Sequence, residues 1–372
     1  MKRKISLKSM VLMSLCLILV SALFTACGSA SGSGENGSGE GKQTIKMRIG
    51  SGYTAEGVPW TKVVKEYFVP EVSKALQNTN YEIQWTETYG GTVAAPGEEL
   101  EAVQSGLLDM AFVVSPLEPS ALMISNMGYN VPFSSPDPAV VNKAVHAIFD
   151  KYPELGQEYE KANQKVLAFG VTESYDLISK VPITNIDELK GKKIGAIGSN
   201  LKWIEPVGVV PVQSSLPQVY QQLQTGVFEG YIIYASSTYG YKLHEQAKYY
   251  TQAGFGSAII GALTVNQNSW SKLPEEVQKV MQDVASDYSE KLVEENNKVT
   301  KESLEKMKEE GAIISTLSEE ERAKWTQMVG DIPNQYAQRM NQAGLPGTQI
   351  VKDYIQAQID AGYQFPAPYT IK

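Results

Sequence analysis

The sequence contains 372 residues, 42% of them hydrophobic, a length and composition that suit a protein of two lobes. The formal net charge is −8, and the first 26 residues hold basic but no acidic side chains, so the remainder is more acidic still. Phosphates and anionic lipids are bound through clustered Lys and Arg, so the acidic body argues against nucleic acid as a partner and against a basic membrane-binding patch.

The first 26 residues have the pattern of a targeting segment. The basic stretch "MKRKISLK" precedes the apolar stretch "MVLMSLCLILVSALF". The segment ends in "FTAC", which resembles a bacterial lipoprotein signal, so we expect cleavage after residue 26 to leave Cys27 as the lipidated first residue. Ordinary secretion and a retained anchor are the alternatives. Cys16 and Cys27 are the only cysteines, so the body contains no internal disulfide.

A flexible tether follows the signal segment. Residues 28–42 read "GSASGSGENGSGEGK", a Gly/Ser-rich composition, and we assign 27–43 to the tether. No later apolar run reaches the roughly 20 residues that span a bilayer. We therefore expect an exported protein, lipid-anchored at the outer face of the cytoplasmic membrane, at the cell surface or in the periplasm.

The first part of the body alternates strands and helices. "TIKMRIGSG" (44–52) and "YEIQWTETY" predict strands, and the helical pattern between them carries Pro70, which marks a bend or short break. "PGEELEAVQSGLLDMAFVVS" predicts a helix that ends at Gly106 and then a buried strand. The order β-α-β-α-β indicates a parallel sheet covered by helices.

The same construction restarts later in the chain. "ITNIDELKGKKIGAIGS" predicts a short capped helix and a strand, and "LPQVYQQLQTGVFEGYIIY" a helix, a glycine stop and a strand. Residues 274–310 form the longest helical pattern, about 55 Å if unbroken, with irregular apolar spacing that disfavours a coiled coil. Further helices are predicted at about 318–343 and 347–360. Two α/β lobes are implied, with a helix long enough to lie across both.

The sequence lacks the common catalytic and metal motifs. His146 and His244 are far apart, and there is no HExxH, CxxC, GxSxG or phosphate-binding glycine motif. No carboxylate pair stands out for hydrolysis. We therefore expect no cofactor, no metal and no catalytic residue, and interpret the chain as a binder with its ligand in the cleft between the lobes, at the carboxyl ends of the strands. An enzyme is the weaker alternative, which turnover of a bound ligand would revive.

Three stretches resemble one protein family. They are "EELEAVQSGLLDMAFVVSP", "PITNIDELKGKKI" and "PVQSSLPQVYQQLQTGVFEG", and the similarity runs in order over about 45–330, including "NSWSKLPEEVQKVM". They look like the substrate-binding subunits of tripartite ATP-independent periplasmic (TRAP) transporters, dicarboxylate type. The resemblance implies a two-lobed periplasmic-binding-protein fold, type II-like, with a long helix spanning both lobes. It also implies lobes that close on a small organic acid, and delivery to the small and large membrane subunits of an ion-driven permease.

The resemblance also implies an arginine that grips the ligand carboxylate, and this sequence lacks it. The matching position is Gly195, in "GKKIGAIGSN", and the position of a second family arginine is Tyr175. The body contains only Arg48, Arg322 and Arg339, each expected at the surface. Lys202, just beyond the strand, is the best candidate for a substituting cation.

Aromatic and small polar residues gather where the cleft is expected. The predicted ligand-binding residues are Tyr53, Tyr89, Ser115, Tyr175, Gly195, Asn200, Trp203, Leu216, Tyr231 and Tyr234. Tyrosine is abundant, with 20 copies, so core packing is an equal alternative for each residue taken singly. Jointly they offer stacking surfaces and hydroxyl donors in place of charge, and glycine at 195 is expected to free volume.

We therefore predict a ligand that is bulkier, aromatic or less charged than a C4-dicarboxylate. One alternative is a small carboxylic acid held by a lysine. Another is a protein that presents its ligand to a membrane sensor instead of a permease. We expect a monomer in which lobe I takes 44–171 and about 257–310, and lobe II takes about 172–256 and 311–372 with the C-terminal helices.

Overall fold

The computed structural model describes residues 41–372, of which Lys42–Lys372 form one compact unit. The predicted signal segment, Cys27 and most of the tether lie outside the described residues. The strands are β1 (Gln43–Gly50), β2 (Tyr81–Thr88), β3 (Met110–Val114), β4 (Gln164–Val171), β5 (Tyr175–Ser179), β6 (Lys193–Ala196), β7 (Val210–Gln213), β8 (Gly230–Ile233), β9 (Tyr249–Gly256), β10 (Ile259–Asn266) and β11 (Ile313–Thr316).

The α-helices of the same part of the chain are α1 (Pro59–Val63), α2 (Val69–Ala75), α3 (Glu99–Gln104), α4 (Met127–Asn130), α5 (Pro138–Lys151), α6 (Glu154–Glu160), α7 (Leu201–Ile204), α8 (Val219–Thr225), α9 (Ala235–Gly240), α10 (Gln267–Trp270), α11 (Glu275–Glu309), α12 (Glu319–Met328), α13 (Ile332–Gln342) and α14 (Gly347–Asp360). The predicted bend at Pro70 is a π-helical segment, Val64–Phe68, between α1 and α2. Because Pro70 has no N–H to donate, the chain widens there, and Val69 N–H bonds the carbonyl of Val64.

The strands form two sheets, one in each lobe. Lobe I holds the order β2-β1-β3-β10-β4, and lobe II holds β11-β9-β5-β8-β6-β7. In lobe I, β1 is parallel to β2 and β3, as predicted, while β10 is antiparallel to β3 and β4. In lobe II, β6 is parallel to β7 and β8. The predicted α/β class and two-lobed fold are confirmed.

Two adjacent chain crossings join the sheets. The chain leaves lobe I between β4 and β5 and returns between β9 and β10. The two crossings bond each other: Thr172 N–H donates to Ala258 O at 2.8 Å, and Ser257 Oγ donates to Thr172 O at 2.6 Å. The lobes are therefore connected by a short hydrogen-bonded ribbon rather than by a loose linker.

A buried carboxyl group anchors this ribbon. Glu173 accepts hydrogen bonds from Ser236 N–H, the Ser236 hydroxyl and Thr300 Oγ1, and so ties one crossing to α9 and to α11. Burial raises the pKa of the Glu173 carboxyl to about 7, and nearby Asp176 acts in the same direction, while the three donors oppose the shift.

The 35-residue helix α11 lies against both lobes, as its length allows at about 52 Å. Ser289 Oγ and Asn296 Nδ2 donate to carbonyls of β4, and Thr300 reaches Glu173 further along the helix. None of the helices described in residues 41–372 is long and apolar enough to cross a bilayer.

The C-terminal helices pack differently from the sequence expectation, which placed all of 311–372 with lobe II. Strand β11 pairs with β9, and α12 packs near the segment after α7, both on the lobe II side. Helix α14, however, packs against α5 and α13, in the apolar cluster of lobe I. The apolar faces of α13 and α14 pair with each other there, a partner choice that the pattern of one helix does not encode. We infer that α13 and α14 belong with lobe I, and the other boundaries stay predictions.

Gly261, in the centre of the lobe I sheet, allows a close backbone approach. Its φ is +152°, and a Cβ atom there would lie 1.8 Å from Val113 O. We expect Gly261→Ala to lower the free energy of unfolding by about 3 kcal/mol or more, because backbone atoms of two strands must separate. Denaturant unfolding followed by circular dichroism measures this.

The control for that experiment is Gly106→Ala. Gly106 also has positive φ (+76°), but a Cβ there meets nothing within 4 Å. This substitution should lower the free energy of unfolding by about 1 kcal/mol, because alanine must adopt the left-handed backbone conformation there. Equal costs for the two variants would contradict the close-approach account.

The pH dependence of stability tests the environment of Glu173. The carboxyl pKa is higher in the folded chain, about 7, than the ordinary value of 4.5, so its protonated form favours folding. Its contribution is present at low pH and is lost as the pH rises from about 4.5 to about 7. Between pH 5 and pH 8 the wild type should lose about 2–3 kcal/mol more free energy of unfolding than Glu173→Gln. The exposed-site variant Glu276→Gln should follow the wild type, and an unchanged slope in Glu173→Gln would refute the shift.

Candidate functional site

A small cavity of about 30 Å³ lies between the two lobes. Lobe I lines it with residues that follow β1 and end β3, among them Tyr53, Trp60 and Val114. Lobe II lines it with Tyr175 at the start of β5 and with Tyr234 just after β8. The predicted position of the cleft, at the carboxyl ends of parallel strands, agrees with this placement. The volume holds only one or two water molecules, so a solute needs the lobes or their side chains to move apart.

Four aromatic rings form the wall of the cavity and link the lobes. Tyr53 and Trp60 pack edge to face with ring centres 5.6 Å apart, and Tyr175 and Tyr234 do the same at 5.2 Å. Trp60 meets Tyr234 across the lobes at 6.3 Å. We call these four residues the aromatic cluster. Such edge-to-face contacts present both ring faces and ring edges to an enclosed molecule.

Among the described residues, 41–372, no charged side chain lines the cavity. Burial raises the pKa of the Tyr53, Tyr175, Tyr231 and Tyr234 hydroxyls above the ordinary value, so they remain neutral at physiological pH. Transferring an ionised group into such surroundings is costly unless it is paired. The cavity therefore suits an uncharged or aromatic group.

Trp60, which is one of the lining residues, has a buried indole N–H that is not used as a donor within residues 41–372. Trp60 is 2% exposed, and its Nε1 has no hydrogen-bond partner within residues 41–372. A buried donor without an acceptor is costly, and an acceptor on an enclosed solute would remove that cost. Trp60 is not among the ligand-binding residues predicted from the sequence. The sequence feature that could have indicated it is an aromatic residue in "VPWTK", shortly after the first strand.

Half of the predicted site residues line the cavity: Tyr53, Tyr175, Leu216, Tyr231 and Tyr234. The other five lie elsewhere. Tyr89 is half-buried and donates its hydroxyl to Glu87, and Trp203 is buried, donating its indole N–H to Tyr129 O. Trp203 also stacks on Tyr129 with ring centres 6.0 Å apart, so it serves the packing of the lobes against each other.

The two predicted polar residues face other protein groups. The Ser115 hydroxyl lies 3.3 Å from the carbonyls of Ser125 and Ile260, to which it donates. Asn200 is fully buried and accepts from Ser199 Oγ, while its Nδ2 has no partner among the described residues. The sequence does not show which protein groups their side chains contact.

Gly195 does not leave free space for a larger ligand, contrary to the expectation. A Cβ at this position would lie 2.6 Å from Tyr231 Cδ2 and 2.8 Å from Phe228 Cε1. The rings of Phe228 and Tyr231 therefore fill the place where an arginine would begin, and Tyr231 in turn lines the cavity. Glycine here is a packing requirement of the lobe II core.

Arg339 is exposed, as expected, but it is not far from other functional candidates. It lines a second, open pocket of about 570 Å³ together with Lys202. Asn130 Oδ1 accepts from Lys202 Nζ at 2.5 Å and from Arg339 Nη2 at 3.1 Å. Helix α13 brings Arg339 to this place because it packs beside α4, which ends at Asn130. The predicted candidate cation Lys202 therefore lies near the cleft but outside the aromatic cavity.

The fold and the enclosed interlobe cavity define a two-lobed solute-binding protein. The family model described as bacterial extracellular solute-binding protein, family 7, matches residues 50–339, and the chain belongs to that family. The chain is thus a solute receptor of TRAP-type transporters, not an enzyme, and acts outside the cytoplasm with a membrane permease.

Individual relatives are distant but cover most of the chain. The C4-dicarboxylate-binding periplasmic protein DctP of Rhodobacter capsulatus is 28% identical over 257 residues, 65% of this chain and 73% of the relative. A TRAP periplasmic solute-binding protein of Desulfovibrio salexigens has a TM-score of 0.74 at 22% identity, covering 87% of this chain and 98% of that chain. A TRAP solute-binding protein of Rhodoferax ferrireducens, in complex with copurified benzoate, has a TM-score of 0.76 at 16% identity, covering 86% and 98%.

Replacing Trp60 tests its role in the cavity. Trp60→Phe keeps an aromatic ring but removes the indole N–H, which has no protein partner in residues 41–372. We expect the affinity for the solute that copurifies with the protein to fall about three- to tenfold, with little loss of stability. Isothermal titration calorimetry with that solute, identified by native mass spectrometry, measures this.

The matched control is Trp85→Phe. Trp85 Nε1 donates to Ser73 Oγ at 3.1 Å, outside the cavity. This variant should bind the solute as the wild type does. Equal affinity of Trp60→Phe and the wild type would show that the solute does not accept from Trp60.

Proposed function

We propose that this protein captures a small organic solute with an aromatic or otherwise uncharged body between its lobes and delivers it to a TRAP permease. One observation carries this proposal. In the part of the chain that the structure describes, the interlobe cavity is lined by aromatic and aliphatic residues and by no charged side chain. A C4-dicarboxylate would bury two negative charges there without a paired cation, at a cost of several kcal/mol.

The sequence supports the same ligand class. Neither Gly195 nor Tyr175 supplies the arginine that the family resemblance leads one to expect, and rings occupy the space beside Gly195. The Rhodoferax ferrireducens protein of the same fold was obtained with benzoate, an aromatic monocarboxylate. The Rhodobacter capsulatus relative, by contrast, binds C4-dicarboxylates, so ligand class varies within this fold.

The proposal includes export and anchoring. From the basic and apolar stretches of residues 1–26, followed by Cys27 and a Gly/Ser-rich tether, we infer a receptor on a lipid anchor at the outer face of the membrane, and we expect it to be a monomer. The tether lets the receptor reach the small and large permease subunits while facing solvent. Mass spectrometry of the protein extracted from membranes, with Cys27→Ser as the comparison, tests the anchor.

A panel of ligands tests the proposed class. Benzoate, pyroglutamate, benzamide, succinate and malate are titrated into the mature protein after partial unfolding and refolding to remove copurified solute. We expect at least one ring-containing compound to bind about tenfold or more tightly than succinate, because only the dicarboxylate must bury two charges. Micromolar affinity for succinate or malate, with none for the ring compounds, would refute the proposal.

A further inference from the structure

A second interlobe pocket, of about 570 Å³, lies beside the aromatic cavity. Pro116 and Leu117 line both spaces, so they form the wall between them. The chain also connects them in lobe II, where Ile197 lines the cavity and the next residue, Gly198, lines the pocket. A solute that occupies the cavity in an opened protein would therefore extend toward this pocket.

The pocket contains two basic side chains and no acidic one. Lys202 and Arg339 belong to its lining, which includes no Asp or Glu among the residues that the structure describes. Both cations donate to the same neutral oxygen, Asn130 Oδ1, at 2.5 and 3.1 Å. A neutral acceptor compensates neither basic side chain, so the positive charge of Arg339, and of Lys202 when it is protonated, would attract an anion.

The two cations come from opposite lobes. Lys202 lies on α7, next to β6 of lobe II, whereas Arg339 lies on α13, which packs beside α4 and α14 on the lobe I side. An anion that contacts both would bridge the lobes in the closed form. Closure would then depend on the solute itself, since separated lobes cannot offer both cations at once.

We infer that Lys202 and Arg339 form an anion site that holds the carboxylate of the solute, while its uncharged body lies in the aromatic cavity. This inference rests on the proposed function and narrows the ligand to a monocarboxylic acid with an aromatic or apolar body. The cavity and the pocket would each bind a different part of the solute. The cavity would hold the uncharged body of the solute. The basic side chains of the neighbouring pocket would hold the carboxylate at one end of the solute.

The pKa of the Lys202 ammonium depends on its burial and on the charges beside it. Burial lowers the pKa of the Lys202 ammonium to about 7, and repulsion from Arg339 acts in the same direction. A carboxylate between them would offset both effects and raise that pKa. Tyr336 also lines the pocket, and burial raises the pKa of its hydroxyl, so it stays neutral there.

Matched pairs of acids and amides test the inference. Benzoate and benzamide, and 3-phenylpropionate and its primary amide, have the same body and differ in charge. Each is titrated calorimetrically into the wild type, Lys202→Gln and Arg339→Gln. We expect the wild type to prefer an acid over its amide by about ten- to hundredfold. Each variant should lose most of that preference and keep its affinity for the amide.

The control variant is Lys193→Gln, which removes a positive charge from exposed Lys193 at the start of β6 without touching the pocket. It should retain the acid preference, and thermal unfolding of all variants confirms that they fold. An amide that binds the wild type as tightly as its acid would overturn the anion site and leave the proposed function standing. So would an acid preference that persists in both Lys202→Gln and Arg339→Gln.

The binding of succinate distinguishes the anion site from the proposed function. If succinate binds tightly and loses about tenfold or more in Lys202→Gln, the anion site is supported and the uncharged body of the proposed function is refuted. If no acid or amide of the panel binds, both are refuted.

Discussion

The arrangement of this molecule depends on the hydrogen-bonded ribbon in which two chain crossings run side by side between the sheets. Thr172 bonds Ala258 and Ser257 across the ribbon, so the two crossing segments are held to each other. Glu173 fixes the same ribbon to α9 and α11 through three donors. Because the lobes are joined at this edge, their other edges meet face to face, and strand ends from both lobes surround one cavity. The cleft is thus a consequence of how the chain crosses.

The ligand preference of that cleft depends on the exclusion of charged side chains from its wall. Aromatic rings close it, with Trp60 meeting Tyr234 across the lobes at 6.3 Å, and no charge lies among the lining residues. The basic side chains stand one wall away, where Lys202 and Arg339 share Asn130 Oδ1. A receptor with separate uncharged and charged spaces can recognise both the uncharged body and the charged end of a solute. An arginine inside the cavity, by contrast, would favour a compact acid.

Local patterns predicted most of the fold and part of the site. Helix C-caps at glycine and alternating strands located the elements of both lobes, and the long helix was found over Glu275–Glu309. Tyr234 follows β8, whose carboxyl end faces the cleft as predicted, whereas Tyr175 lies at the start of β5 and was predicted from the position of a family arginine. Gly195 was misread, since strand patterns do not reveal that the rings of Phe228 and Tyr231 fill the space beside it. Arg339 is exposed, as predicted, but its place beside Lys202 depends on how α13 packs against distant elements, which no local pattern contains.

A crystal structure of the mature protein with its copurified solute tests the central claim most directly. The claim is that the interlobe cavity recognises an uncharged body and leaves charge outside. We expect the solute body among Tyr53, Trp60, Tyr175 and Tyr234, with any carboxylate directed away from these rings toward Lys202 and Arg339. A compact dicarboxylate enclosed by the aromatic cluster, with both its charges inside the cavity, would contradict the account.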